Sequence, residues 1–252
     1  MKNIFLLFFV LFLVACDDPN FDSGCLPESL QDGVIAFYPF TEGSLKDDTS
    51  FNHNVINTTP AKPTVDRNGN ENCAYSFSNT SNNIEHLTTA NTSFLNGLTD
   101  FSISLWYLPT DTTRSVDVFE SLISRATDSN CAMRDYEWAL GLHDCRKAIF
   151  NHNHSVWANS IFDLGGTCEE EVVELTNKWH HLVVTKLEDD YKIYFNNILQ
   201  NSDSGNLNCV EDRGDLFIGK GFKGSIDDII IYSRAINNAE VTALYELTSC
   251  CS

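Results

Sequence analysis

Apolar residues recur with a period of two through most of the chain, in short runs separated by stretches rich in Asn, Asp, Gly and Ser. That pattern predicts a succession of half-buried β-strands. Residues 101–108 show it most clearly: Phe101, Ile103, Leu105 and Tyr107 share one face, and Ser102, Ser104 and Trp106 the other. Residues 34–40, 73–77, 83–87, 120–124, 136–142, 148–152, 156–162, 178–186, 191–195 and 216–219 read the same way, with Leu199 marking a further strand. Asn196-Asn197 forms a two-residue hairpin turn, because Asn tolerates positive φ. The closing stretch, 223–232, is apolar on both faces, with Ile229 and Ile231 on one and Ile226, Ile230 and Tyr232 on the other. Such a strand belongs in the middle of a packed sheet. By alternation its two carboxylates, Asp227 and Asp228, should point to opposite sides. Asn237, with Glu240 three residues on, reads as the capped start of a helix running to about Leu247. About twelve to fourteen strands and one C-terminal helix predict an all-β, two-sheet antiparallel sandwich.

The N-terminus changes the picture. Lys2 precedes an apolar run from Ile4 to Val14, too short for the roughly 20 residues a membrane-spanning helix needs. It reads as a secretory signal peptide. Leu13-Val14-Ala15-Cys16 is similar to a bacterial lipobox, in which cleavage leaves a lipidated Cys16 as the first residue. The expected organisation is a signal peptide (1–15), Cys16 with a short acidic tether (16–31), and one domain (32–252). Export and anchoring to a bacterial membrane, the outer one, with display at the cell surface as a further option, follow as expectations. Losing Lys2 leaves 15 basic residues against 35 acidic ones, so the net charge moves from −19 to −20. No basic cluster offsets that charge, which excludes nucleic acid as a partner.

Nine cysteines less the lipidated one leave eight, an even number in an exported chain, and disulfides are the expected state. Cys131 and Cys145 flank one predicted strand, so they lie about 20 Å apart, beyond the roughly 7 Å a disulfide allows between Cα atoms. Following the up-down order of strands puts Cys145 and Cys168 at one end and Cys131 and Cys209 at the other, while sequence alone leaves the connectivity open. The adjacent Cys250 and Cys251 are expected to reach Cys25 and Cys73, tying the C-terminus to the N-terminal segment.

Candidate chemistry concentrates in few places. The loop Asp47-Asp48-Thr49-Ser50-Phe51-Asn52-His53-Asn54 gathers hard oxygen donors of the kind calcium takes, 6–8 at about 2.4 Å. The alternative is a solvated loop whose side chains cap their own turns. His152 and His154 lie on the same side of a strand, a zinc-compatible spacing, with His143 as a conceivable third ligand; solvated strand-end residues are the simpler reading. No Gly-x-Ser-x-Gly elbow and no His-Glu-x-x-His helix is present.

Four ordered stretches resemble laminin-G-like domains of the concanavalin A-like lectin/glucanase superfamily. The closing one runs through Gly224-Ser225-Ile226-Asp227-Asp228, Ile231-Tyr232, Arg234-Ala235 and Ala239-Glu240-Val241. The others are Asp32-Gly33-Val34-Ile35-Ala36-Phe37-Tyr38-Pro39-Phe40, Phe101-Ser102-Ile103-Ser104-Leu105-Trp106-Tyr107-Leu108-Pro109 and Trp179-His180-His181-Leu182-Val183-Val184. The resemblance implies a jelly-roll sandwich and places Trp179 and His181 in the core. It also implies structural calcium held by Asp48, Asn52, Asn54 and Asp227, although Phe51 stands where the family usually has Gly. Recognition or adhesion is the implied role, with a glycan as ligand or, alternatively, a surface protein. Trp106, beside Ser102 and Ser104, and Trp157, near Asn151, Asn153 and Asn159, are candidate sugar platforms, because an aromatic ring stacks on a sugar's C–H face. Glucanases of the superfamily carry paired glutamates around an aspartate on one strand. Residues 169–174 lack the central Asp and residues 188–190 the far Glu, so a divergent glycoside hydrolase is the least favoured reading.

Overall fold

The computed structural model describes residues 25–89, 91–111, 119–126, 136–143, 145–152, 156–159, 173–204 and 214–250. From its N-terminal side the chain supplies β1 (Val34–Tyr38), β2 (Lys62–Thr64), β3 (Ala74–Ser78), β4 (Leu87–Thr89), β5 (Phe101–Pro109), β6 (Glu120–Ala126) and β7 (Tyr136–His143). Then come β8 (Lys147–His152), β9 (Val156–Asn159), β10 (His180–Leu187), β11 (Asp190–Phe195), β12 (Ile198–Ser204), β13 (Leu216–Ile218) and β14 (Lys223–Tyr232). One sheet has the order β12-β11-β10-β5-β14-β3-β2, with β1 also pairing β14; the other runs β4-β13-β6-β7-β8-β9. Every strand ladder is antiparallel. The all-β jelly-roll sandwich expected from the sequence is the architecture found.

β14 lies at the centre, as its two apolar faces require. β5 runs along one edge; on the other, β3 pairs its first half and β1 its second. Between the sheets Ile103, Leu105, Tyr107, Ile229 and Ile231 pack with Leu140, Leu142, Phe150 and Leu216. On the outer face of the larger sheet Phe37, Val183, Ile230 and Tyr232 meet Leu26, Leu30, Val241 and Leu244. The last two come from the C-terminal helix, Asn238–Glu246, which starts where the Asn237 side chain accepts from the amides of Ala239 and Glu240, completing a capping box.

The strand assignment needs one correction with consequences. Ile226 does not share a face with Ile230 and Tyr232; it joins Ile229 and Ile231 in the inter-sheet core. The register with β5 slips between Asp227 and Ile230, and Asp228 adopts φ 43°. That bulge adds one residue, so the alternation restarts after it. Asp227 and Asp228 consequently point the same way, not to opposite sides.

Smaller differences have local causes. The strand read at 83–87 begins at Leu87, because Glu85 spends its amide on the Asn79 side chain while the Asn79 amide bonds the carbonyls of Glu85, Gly219 and Phe222. β2 escapes the pattern because it is a short, largely exposed edge strand containing Pro63. At the β11–β12 hairpin Asn196 and Asn197 hold φ 47° and 65°, the left-handed pair the turn demands.

Candidate functional site

The bulge in β14 sets up a buried ionic junction. Loop residues Asp66–Asn70 are held by the Asp66 carboxylate, which accepts from the amides of Asn68 and Asn70, the Asn70 side chain and the Ser249 hydroxyl. Burial pushes the Asp66 carboxyl up, but the hydrogen bonds from Ser249, Asn70 and Asn68 outweigh it and leave the group below the usual carboxylate range. The loop thereby aims Arg67 inward, its side chain only 7 % exposed. Its Nη1 donates to Asp227 Oδ2 at 3.0 Å and to Asp228 Oδ2 at 2.5 Å, and its Nη2 to the Leu247 carbonyl at 3.1 Å. Two carboxylates share one guanidinium. Burial, then the charge of Asp228, raise the Asp227 carboxyl well above its ordinary value against the opposing pull of Arg67. Burial likewise raises Asp228, with Arg67 opposing.

This junction decides two expectations. The guanidinium lies 4.6 Å from the centre of the Trp106 ring, and Tyr245 of the C-terminal helix stacks on that ring at 5.6 Å. The Trp106 ring is therefore half-buried, with Arg67 and Tyr245 against it. Its supposed polar neighbours are engaged too: Ser104 Oγ lies 2.8 Å from His181 Nε2, and Ser102 Oγ bonds the backbone of Arg234 and Ile236. His181 is buried, as read from the sequence, and Trp179 half-buried.

The loop at 47–54 is organised by Asp47, not Asp48. The buried Asp47 carboxylate accepts from the amides of Phe37, Thr49 and His53 and from the Thr49 hydroxyl. Asn54 Oδ1 accepts the Asp47 amide at 2.8 Å. Asp48 is exposed, and burial of part of its surface, with the Asp47 charge, raises its carboxyl. Asn52, exposed, takes φ 60° and donates its side-chain amide to the Ser50 carbonyl. Phe51 thus escapes the backbone strain its place in the motif suggested, since the left-handed position falls one residue later. The donor set expected for calcium does not fit one ion: Asp227 is paired with Arg67, Asn54 caps the Asp47 amide, and Asp48 and Asn52 face solvent. Among the described residues no three His, Cys, Asp or Glu side chains form a metal site.

The same loop carries a feature the sequence reading passed over. Phe51 is 50 % exposed, and its ring lies parallel to that of His53, with centroids 5.9 Å apart. His53 in turn stacks on Phe94 at 3.9 Å, again within 10° of parallel. Burial lowers the His53 pKa, with Asp47 opposing, so the middle ring of the stack is a neutral imidazole at neutral pH. Exposed Asp48, Ser50 and Asn52 surround the outer ring in sequence.

The remaining expected positions divide. His152 turns inward, with its Nδ1 2.8 Å from the Tyr191 hydroxyl, so it is no surface zinc ligand. Asn151 is half-buried on β8 and is the Cα partner of Trp157. Cys250 reaches Cys25, across 225 residues, with Cα atoms 5.2 Å apart. Cys73 and Cys145 are disulfide-bonded as well. Cys16, Cys131, Cys168, Cys209, Cys251, Asn153 and His154 lie outside the described residues, as does the Trp157 side chain.

Several solved structures with this arrangement are binding domains by title. The binding domain of botulinum neurotoxin serotype D/C matches with a TM-score of 0.68 at 14 % identity, covering 86 % of this chain and 52 % of that one. The binding domain of Paraclostridial Mosquitocidal Protein 1 matches at 0.65 and 17 % identity, over 86 % and 52 %. A botulinum neurotoxin DC binding domain in complex with SialylT matches at 0.62 and 16 % identity, over 86 % and 52 %. The chain spans about half the length of these proteins, and at such identities the likeness is one of fold. No curated protein matches the sequence. The profile of the laminin-G-like "Concanavalin A-like lectin/glucanases superfamily" matches residues 79–242, more than half of the chain. With the two-sheet jelly roll, that match makes the protein a member of the laminin-G-like family of the concanavalin A-like lectin/glucanase superfamily.

Proposed function

We propose that the chain is a non-catalytic recognition module that binds a glycan at the 47–54 loop and is carried outside the cell on a lipid attached to Cys16. The observation that supports the reading most is the exposed Phe51 ring, backed by His53 and Phe94. A stacked ring is held rigid, and a rigid aromatic face beside Asn, Ser and Asp side chains suits the apolar face and hydroxyls of a sugar. A neighbour solved in complex with SialylT is consistent with a saccharide ligand on this fold. Asp47 supports the platform by pinning the loop to β1 through the Phe37 amide.

A glycan array probed with the purified chain and with Phe51→Ala tests the reading. Binding to a defined set of sugars, lost at least tenfold in Phe51→Ala at unchanged melting temperature, supports it. An empty array together with recovery of one surface protein partner would replace the glycan by a protein ligand. Mass spectrometry of the N-terminal peptide, with Cys16→Ser as control, tests the anchor separately.

A further inference from the structure

A cavity of about 430 Å³ opens between the two sheets at the end where β5 begins and β10 finishes. Its apolar wall includes Leu95, Phe101, Ile103, Trp138 and Ile231, drawn from both sheets and the loop before β5. Protein interiors pack like organic crystals, with few voids larger than a water molecule. At roughly 30 Å³ per water-sized group, this one has room for about fourteen, within the usual range of small-ligand sites.

Two buried polar side chains face this space. Lys186 is 5 % exposed and donates to the carbonyls of Thr99 and Glu188, with the Tyr191 ring 5.5 Å from its Nζ. No carboxylate of the described residues lies within contact ion-pair distance of it, although the charges of Asp100 and Asp189 act on it from further off. Burying an ammonium on carbonyls is costly, because dipoles do not neutralise its charge; Asp100 and Asp189 offset that burial only in part, and the Lys186 pKa stays lowered. His152 is 4 % exposed, and its Nε2 has no partner among the described residues. When Nδ1 accepts the Tyr191 proton, Nε2 carries the hydrogen and becomes a donor. A largely apolar chamber containing one cation without a contact ion pair and one spare donor is complementary to a carboxylate on an apolar body.

We infer that this cavity is a binding site for a medium-chain monocarboxylate, with its carboxylate on Lys186 and His152 and its tail against Phe101, Ile103, Trp138 and Ile231. Glu137, also facing the cavity, is paired with Arg125 at 3.5 Å. Glu188 and Asp189 at the rim are exposed, where salt screens their repulsion of an entering anion. The site is distant in kind from the sugar platform, and neither reading depends on the other.

Titration of the full chain with decanoate, decanol and decylamine, followed by calorimetry and tryptophan fluorescence, tests the assignment. Decanoate is expected to bind at one saturable site and at least tenfold more tightly than either other compound. Lys186→Met should weaken decanoate tenfold or more while leaving decanol unchanged, and Ile103→Trp, which fills the chamber, should abolish both. No saturable binding of decanoate by the unaltered chain would overturn the site. Equal or tighter binding of decylamine, or a loss in Lys186→Met of less than tenfold, would overturn the role of Lys186. The comparison of head groups on the unaltered chain stands even if a variant fails to fold.

Discussion

Arg67 Nη1 sits 3.0 Å from Asp227 Oδ2, although 160 residues separate them. The positive charge fastening an early loop to the last strand is an amino-acid side chain. Removing it leaves two buried carboxylates without a counter-charge, which typically costs about 3–5 kcal/mol. Arg67→Met should therefore lower the unfolding free energy by that amount in chemical denaturation. The triple change Arg67→Met, Asp227→Asn, Asp228→Asn should be markedly milder. Adding calcium or a chelator should leave the melting temperature of the unaltered chain where it is.

Asp47 and Asp48 are neighbours with unequal burdens. Asp47→Ala leaves the amides of Phe37, Thr49 and His53 and the Thr49 hydroxyl without their acceptor. Lost hydrogen bonds to a charged group cost about 1.5–3 kcal/mol, so a destabilisation of about 3 kcal/mol is expected, with loosening of the 47–54 loop. Asp48→Ala should stay within about 0.5 kcal/mol, as exposed substitutions do. Denaturation curves of the two variants decide it. Equal effects would refute the assignment of roles.

The Cys25–Cys250 bridge ties the segment before β1 to the segment after the C-terminal helix. Replacing both with Ser should cost about 2–5 kcal/mol, the usual range for a native disulfide. The loss should be visible as a lowered denaturant midpoint with an unchanged sheet spectrum.

Acid should weaken the fold through its buried imidazoles. Burial, with the charge of Lys186, depresses His152 to about 3; burial and the charge of Arg67 do the same for His181. The unfolded chain takes up these protons below about pH 6.5 and the folded chain does not. The stability they contribute is full above that value and falls as pH drops toward 3. Between pH 6 and pH 4 each contributes a slope of about 1.4 kcal/mol per pH unit. Asp227 and Asp228, being raised, act in the opposite sense: their contribution is fullest at low pH and is lost as pH rises through their folded values. His181→Gln should flatten the measured slope by about one proton. An unchanged slope would contradict the account.

What the chain announces locally, it announces well. The alternation of Phe101, Ile103, Leu105 and Tyr107, the Asn237 cap and the Asn196-Asn197 turn each depend on residues close in sequence, so periodicity and turn chemistry suffice to read them. The two-sheet fold follows, because so many half-buried strands have few other ways to cover their apolar faces. Which charge meets which is a different matter. Nothing local singles out Arg67 among the basic residues, and alternation put Asp227 and Asp228 on opposite sides until a left-handed Asp228 turned them together. Likewise, Asp47 and Asp48 are equivalent by composition, and only the position of the β1 amides selects one as anchor and leaves Phe51 facing solvent. The single-residue slip and the long-range ion pair are settled when the sheets stack, since their energies come from partners that sequence distance does not reveal.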